Sequence, residues 1–478
     1  MTVQLPSRLA SLAAGLLVLT ACYEAPDGRS ITTELVANEE APAQDAPHAN
    51  AMLADNAAAP TPIATGTGGS FLALSDVHLL STDTACPGHH CETSPSFWAE
   101  TQTYVQTLVA AERPDFIIYL GDMPTHSSLP ATVRDDIFAG VLNGLGNTAA
   151  GTEIPVLYLP GNNDTLGLNE DFYGLNDYCP FTEDDQTVFN AVDDPLRWPV
   201  LNGSADIVDG SHRADGYYAA RVPIGDSGSH LRVLALNTNV YTSAYTLCSD
   251  LAVAVGSAQL DWLAEQLASA RTAGEPALLA MHVPPGLDGY RGNGQSEPNT
   301  MWDPDMAYQG SNAGMQGRWM QDVMLEIIAA HEPGITGLVA GHTHLNGIRR
   351  LHSCDAASTV TELLVSVPGI STDHRNAPAF KHILLDGALE PVGASTHVAT
   401  WNGSAPSWAS PTIYDFATNY PNAAAPGATL LAQVNSIDDD ERLQDMLRYL
   451  YAHETAGPPS GLTDPGFFRE AMEVACSP

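Results

Sequence analysis

The sequence predicts an α/β fold on three observations. Short apolar runs alternate with segments of helical spacing, and each run stops at a polar, glycine-containing turn. Those turns carry Asp, Asn and His side chains, which is how open α/β sheets present ligands at their strand ends. The chain has 478 residues, enough for a sizeable core, and its 44% hydrophobic and 15% charged composition excludes a wholly disordered polymer.

The elements follow in order. Residues 1–21 read as a secretory signal, with Arg8 before an apolar run from Leu9 to Leu19 that is too short for a comfortable membrane span. Leu19-Thr20-Ala21-Cys22 resembles a bacterial lipobox, which implies lipidation at Cys22 and an exported lipoprotein of the cell envelope, periplasmic or surface-borne. Residues 22–69, rich in Ala, Pro, Asp and Thr, read as a flexible tether reaching roughly 40 Å. A catalytic domain is expected over 70–390. Its strands are Phe71–Leu74, Phe116–Leu120, Val156–Leu159, Leu234–Leu236, Ala277–Ala280 and Gly337–Ala340. Phe97, Tyr104, Leu108 and Ala111 recur at helical spacing before Pro114. A partly helical region is expected over 391–478, with Ser436 and Asp439 as a capping box and Leu443, Met446, Leu447 and Leu450 as its apolar stripe.

Charge and cysteine content narrow the function. Eighteen Lys and Arg against 56 Asp and Glu give a net charge of −38, so a nucleic-acid-binding face is not expected and membrane attachment is expected only through the lipid. Lys381 is the one lysine and stands between Phe380 and His382, so there is no Walker loop. Gly225-Asp226-Ser227-Gly228-Ser229 lacks the last glycine of a nucleophile elbow. With Cys22 lipidated, six cysteines remain, an even count that favours disulfides in an exported chain. Cys86 and Cys91 flank Pro87-Gly88-His89-His90, which reads as a local disulfide, with a zinc knuckle as the alternative.

The strand ends carry Asp76-Val77-His78, Gly121-Asp122-Met123-Pro124-Thr125-His126, Gly161-Asn162-Asn163-Asp164, Met281-His282 and Gly341-His342-Thr343-His344. In this order they resemble the motif series of the calcineurin-like metallophosphoesterases. Leu236-Asn237-Thr238-Asn239, Gln259-Leu260-Asp261-Trp262-Leu263, His282-Val283-Pro284-Pro285-Gly286 and Asn376-Ala377-Pro378-Ala379-Phe380 narrow the likeness to the acid sphingomyelinase-like branch. The string Gly-Asn-Asn-Asp is similar to that of endopolyphosphatases in the same branch.

This resemblance implies an α/β/β/α sandwich with a small helical C-terminal region and two divalent metals. Zinc is expected, with iron or manganese as alternatives. One metal would take Asp76, His78 and His344, the other Asn162, His282 and His342, with Asp122 bridging. The implied activity is hydrolysis of a phosphate-containing small molecule or polyphosphate by metal-activated water, without a covalent intermediate. The alternative is a non-catalytic surface binding lipoprotein on the same fold.

Asn163 departs from the pattern, since the family usually has histidine there. An amide donates a hydrogen bond to a phosphoryl oxygen but delivers no proton, which tilts the reading toward anhydrides with their weakly basic leaving groups. His126 stands as the surrogate acid. His374 is expected to lie outside the pocket, and Asn346 to orient His344.

Overall fold

The computed structural model describes residues 68–84, 91–127, 129–164, 198–203, 205–225, 228–242, 249–289, 299–402, 405–416, 428–437 and 465–477. The signal segment with Cys22, the tether up to residue 67, Cys86, Cys179, Cys248, Asp439 and the stripe Leu443 to Leu450 lie outside the described residues.

Strands β1 (Gly69–Leu74), β2 (Phe116–Tyr119) and β3 (Val156–Tyr158) alternate with helices α1 (Pro95–Glu112) and α2 (Ala131–Thr148). The edge and antiparallel strands β4 (Asp206–Asp209) and β5 (Tyr218–Ile224) follow. A second alternation runs through β6 (Ser229–Leu236), α3 (Ser249–Ala273), β7 (Ala277–Met281), α4 (Met320–His331) and β8 (Ile335–Ala340). Strands β9 (Ile348–His352), β10 (Val360–Ser366), β11 (Ala379–Leu385), β12 (Pro391–Asn402), β13 (Ala405–Asp415) and β14 (Glu473–Val474) complete the sheets.

One sheet has the order β13-β12-β11-β1-β2-β3 and the other β14-β9-β10-β8-β7-β6-β5-β4. Strands β1, β2 and β3 are mutually parallel, as are β6, β7, β8 and β10. The parallel strands β2, β3, β7 and β8 are buried along their whole length, which is why they read as unbroken apolar runs rather than alternating ones. Phe71 and Ile383 of the first sheet share a core with Val222, Leu278 and Val339 of the second. The other face of the second sheet packs Leu279 and Leu338 against Leu263 of α3 and Val323 of α4. With α1 and α2 on the first sheet, the layers run helix, sheet, sheet, helix.

Two expectations are corrected here. The boundary at 390 falls inside a continuous sheet: β12 pairs with β11, β13 with β12, and β14 with β9. Residues 391–415 therefore extend the first sheet as a long hairpin, and the C-terminal strand extends the second. Secondly, the buried face of α1 is Phe97, Trp98, Thr101, Val105 and Val109, while Tyr104 is half-buried and Ala111 exposed. Thr101 disguises the stripe because it is polar, yet its hydroxyl donates to Phe97 O at 2.9 Å and accepts Trp408 Nε1 at 2.8 Å. The helix starts at an N-cap, Ser94 Oγ accepting from Phe97 N, with Pro95 next. It ends at Arg113 in the left-handed region, just before Pro114. Ser436 closes the short helix Leu430–Asn435.

Cys354 and Cys476 form a disulfide that fastens β14 beside the β9–β10 hairpin. Cys91 is disulfide-bonded, which removes it as a zinc thiolate; its partner lies outside the described residues. Lys381 is buried, its Nζ donating to Asn346 Oδ1 and to Thr396 Oγ1, and burial pushes its pKa down to about 7. Asn346 Oδ1 thus accepts from Lys381 and from Thr396. No helix among the described residues is long and apolar enough to cross a membrane.

Candidate metal centre

The parallel strands of both sheets end at the same side of the sandwich, so the loops after β1, β2, β3, β7 and β8 meet there. Asp76, His78, Asp122, His342 and His344 all have φ between 43° and 67°, a conformation that non-glycine residues adopt at a cost of order 1–3 kcal/mol each. Five such residues gathered at one spot mark backbone shaped for side-chain placement. Gly121 and Gly161 let two of these loops cross: a Cβ at Gly121 would lie 2.2 Å from Gly161 N, and one at Gly161 would lie 2.2 Å from Asp122 N.

Asp164 ties the crossing together. Its carboxylate accepts from the backbone N–H groups of Gly161, Asp122 and Met123 at 2.7–2.9 Å. Burial and the Asp122 charge push this carboxyl up to about 6, opposed by the Met123 and Gly161 donors and by His282. The other motif strings are likewise scaffold. Asn239 donates to Pro160 O, Thr238 accepts from Val283 N, and Asn376 donates to the carbonyls of Gly369, Ser371 and Ala377.

The seven strand-end side chains form two adjoining groups. In the first, Asp76 Oδ1 lies 3.4 Å from His344 Nε2 and 3.8 Å from His78 Nε2, and those two ring nitrogens are 3.1 Å apart. In the second, Asn162 Oδ1 faces His282 Nε2 at 2.9 Å and His342 Nδ1 at 2.7 Å. Asp122 Oδ2 stands between them, 3.4 Å from His78 Nε2 and 3.3 Å from His282 Nε2. Nδ1 of His78 donates to Pro124 O and Nδ1 of His282 to Leu120 O, which aims both Nε2 lone pairs inward. His344 is backed by Ser371 Oγ at 3.4 Å from its Nδ1.

These residues fit a pair of divalent cations. Asp76 Oδ1 is buried without a hydrogen-bond partner, and the sets Asp76, His78, His344 and Asp122, His282, His342 each bring their ligand atoms within 4.8 Å of one another. Two buried imidazole nitrogens facing each other at 3.1 Å are what a shared positive centre would reconcile. Although burial opposes it, the charges of Asp122 and Asp76 raise His78 and His282 to about 9, while burial lowers His342 to about 3.

A cavity of about 100 Å³ opens on this cluster, lined by Asp122, His126, Asn162, Asn163, Asp288 and His374 among others. His126 stacks on His78 with ring centroids 4.0 Å apart, and its Nδ1 lies 2.9 Å from Glu92 Oε1. Asn163 is buried, and its Nδ2 donates to Asp122 Oδ2 at 2.8 Å while its backbone N–H donates to Oδ1. One amide hydrogen expected for a phosphoryl oxygen is therefore spent on Asp122. His374 lies at the pocket after all, 4.5 Å from the His344 ring, and burial pushes it down to about 4.

Glu92 and Asp288 escaped the sequence reading because both stand outside the recognisable strings, Glu92 well beyond Asp76-Val77-His78 and Asp288 just past the His282 to Gly286 string after β7. Glu92 did have one signal, its place directly after a cysteine of the loop facing the Gly-Asp motif.

Residues 69–346, more than half of the chain, match the calcineurin-like phosphoesterase family. The chain belongs to that family. Its relatives include the human protein named acid sphingomyelinase-like phosphodiesterase 3b, 24% identical over 345 residues that cover 68% of this chain and 66% of that one. Another is sphingomyelinase phosphodiesterase C of Dictyostelium discoideum, 30% identical over 202 residues, covering 42% and 40% respectively. The chain thus spans just under two thirds and two fifths of these relatives. A dimetal phosphatase from Danio rerio is similar in structure over 73% of this chain and 98% of its own, at 12% identity and a TM-score of 0.40.

Proposed function

We propose that the protein is an exported dinuclear-metal hydrolase of phosphate esters or phosphoanhydrides, held at the cell envelope through lipidated Cys22. The observation that carries the reading is the position of Asp122, whose single oxygen Oδ2 faces a ligand nitrogen of each group at 3.3–3.4 Å. A structural metal site needs no second half, whereas in-line displacement uses two cations about 4 Å apart. The names of the relatives, phosphodiesterases both, support ester cleavage.

In this reading Asp76, His78 and His344 hold one cation, Asn162, His282 and His342 the other, and Asp122 both. Two divalent cations, zinc by the imidazole-rich donor set, would polarise the phosphoryl oxygens and acidify a water when bound. The protein's own part is to place the phosphate in the cavity and to move a proton. His126 presents Nε2 to the pocket and gives its proton to the departing oxygen. Asn163 steadies Asp122 through its amide. With an acid in place at His126, alkyl esters fall within reach as well as anhydrides.

The testing experiment is a substrate panel of polyphosphate, a nucleoside triphosphate, sphingomyelin and bis-p-nitrophenyl phosphate, run on zinc-reconstituted protein beside Asp122→Ala. Turnover is expected for the native chain and nearly abolished in the variant, with metal lost. Native rates in Asp122→Ala would overturn the two-metal reading, and bound metal with no turnover of any substrate would make the protein a binding lipoprotein.

A further inference from the structure

We propose that Glu92 is a positioning residue of this site, fixing the rotamer and tautomer of His126 so that Nδ1 keeps a proton and Nε2 faces the phosphate pocket. The inference rests on the hydrolase reading for its kinetic consequence, though not for its structural one.

Three donors converge on this one carboxylate. Oε1 accepts from Nδ1 of His126 at 2.9 Å and from the His126 backbone N–H, and Oε2 accepts from the Thr125 hydroxyl. The carboxylate is only 13% exposed, so the contacts are screened little by solvent. A surface ion pair would hold the ring loosely. Here the acceptor is braced on both sides. Cys91 exchanges hydrogen bonds with Thr372, its N–H reaching Thr372 Oγ1 at 3.0 Å and its carbonyl receiving Thr372 N at 2.9 Å. Thr93 N donates to His78 O, and Leu80 N to Thr93 O. Glu92 is thereby locked to the loop after β1 and to the segment after β10, and it transfers that rigidity to the loop after β2.

The consequence for the ring follows from its two ends. Stacking on His78 fixes the ring plane, and Glu92 takes Nδ1–H, with Asp373 Oδ2 further off at 3.6 Å. Nε2 is left at the far end, without a hydrogen-bond partner among the described residues, on the wall of the cavity. When an imidazolium at His126 gives its Nε2 proton to a leaving alkoxide, the ring becomes neutral and its remaining proton already sits on Nδ1 against the carboxylate. No ring flip is needed. A carboxylate beside a catalytic imidazole acts in this way by tautomer and orientation rather than by accepting the proton itself.

The test combines ¹⁵N NMR of histidine-labelled, zinc-reconstituted protein with paired kinetics. In the native chain at alkaline pH, the signal that disappears in His126→Asn is expected to report a proton on Nδ1; in Glu92→Ala it should move to the Nε2-protonated form that free imidazoles prefer. Glu92→Ala should lower kcat for sphingomyelin about 10–100-fold, the range for residues that orient a working histidine, with KM and bis-p-nitrophenyl phosphate turnover changed less than about threefold. The double variant with His126→Ala should be no slower than His126→Ala alone. If Glu92→Ala does not fold, Glu92→Gln keeps the volume and should still lower the sphingomyelin-to-nitrophenyl ratio.

An unmoved tautomer, equal losses on both substrates, a multiplicative double variant or loss of a metal equivalent would each overturn the proposal, the last by making Glu92 a ligand. A tautomer that moves with Glu92 in a protein without turnover would uphold the clamp and sink the hydrolase reading. Normal turnover with an unmoved tautomer would sink the clamp alone.

Discussion

The two halves of the centre are built to different standards of enclosure. Asp76, His78 and His344 are at most 1% exposed; in the second half His282 is as enclosed, but Asn162 is 9% exposed and His342 is half-buried. Both halves draw ligands from both sheets, Asp76 and His78 following β1 with His344 after β8, and Asn162 following β3 with His282 and His342 after β7 and β8, so exposure alone separates them. The second half holds its Asn162 in the turn after the short strand β3 and shows it to the pocket. The lesson is one of access: the second half is the more open of the two.

Variants can break this comparison. Asp122→Ala removes the shared oxygen and is expected to have the largest effect, losing bound metal and nearly all turnover while circular dichroism stays native. Substitutions within each half should then diverge. His78→Ala leaves Pro124 O without its buried donor and should cost about 1–3 kcal/mol in denaturant unfolding besides a metal equivalent. Asn162→Ala should lose the other equivalent with little change in unfolding midpoint. Equal destabilisation by both would erase the distinction between the halves.

A brace behind the open half sharpens it further. The loop after β7 carries His282 and Asp288, and Arg349 Nη1 donates to its Pro285 and Leu287 carbonyls. Gly286 of the same loop donates to Gln321 and packs against Val474 of β14, which Cys354–Cys476 fastens. Replacing both cysteines by serine opens a loop of 122 residues and should cost about 2–5 kcal/mol, measured by thermal unfolding. Because β14 touches the His282 loop, metal should be lost from the second half first.

A smaller effect separates the site from the scaffold in pH. Glu332 is pushed up to about 7 by burial, and Glu362 well above the carboxylate range by burial and by the charges of Glu332 and Glu390, with Arg271 opposing at Glu332. Folded values above the unfolded value of 4.5 mean that this cluster's contribution is fully present below about pH 4.5 and is lost as pH rises through 7. Glu362→Gln should flatten the fall in melting temperature over that window without altering turnover. An unchanged pH slope in that variant would remove the cluster from the account.

The same contrast explains what was legible in the sequence. The enclosed strands β2, β7 and β8 announced themselves as apolar runs because both faces are covered, and the strand-end strings followed from them. All seven expected strand-end residues come together. The long hairpin β12–β13 did not show, since its polar and apolar residues follow the partial cover given by α1 rather than a clean alternation. Glu92, His374 and Asp288 were not read as site residues for a related reason: loops far apart in sequence bring His374 and Asp288 to the pocket wall and Glu92 to the His126 ring, and nothing local about them requires it. Asn163 was read as a substrate donor because the sequence does not show that its amide already has Asp122 within 2.8 Å.

The central claim is that one carboxylate serves two cations, and anomalous diffraction at the zinc edge from crystals of the reconstituted protein tests it most directly. The account predicts two peaks flanking Asp122, one against Asp76, His78 and His344 and the other against Asn162, His282 and His342. A single peak in protein that turns over phosphate esters, or two peaks that persist in Asp122→Ala, would contradict it.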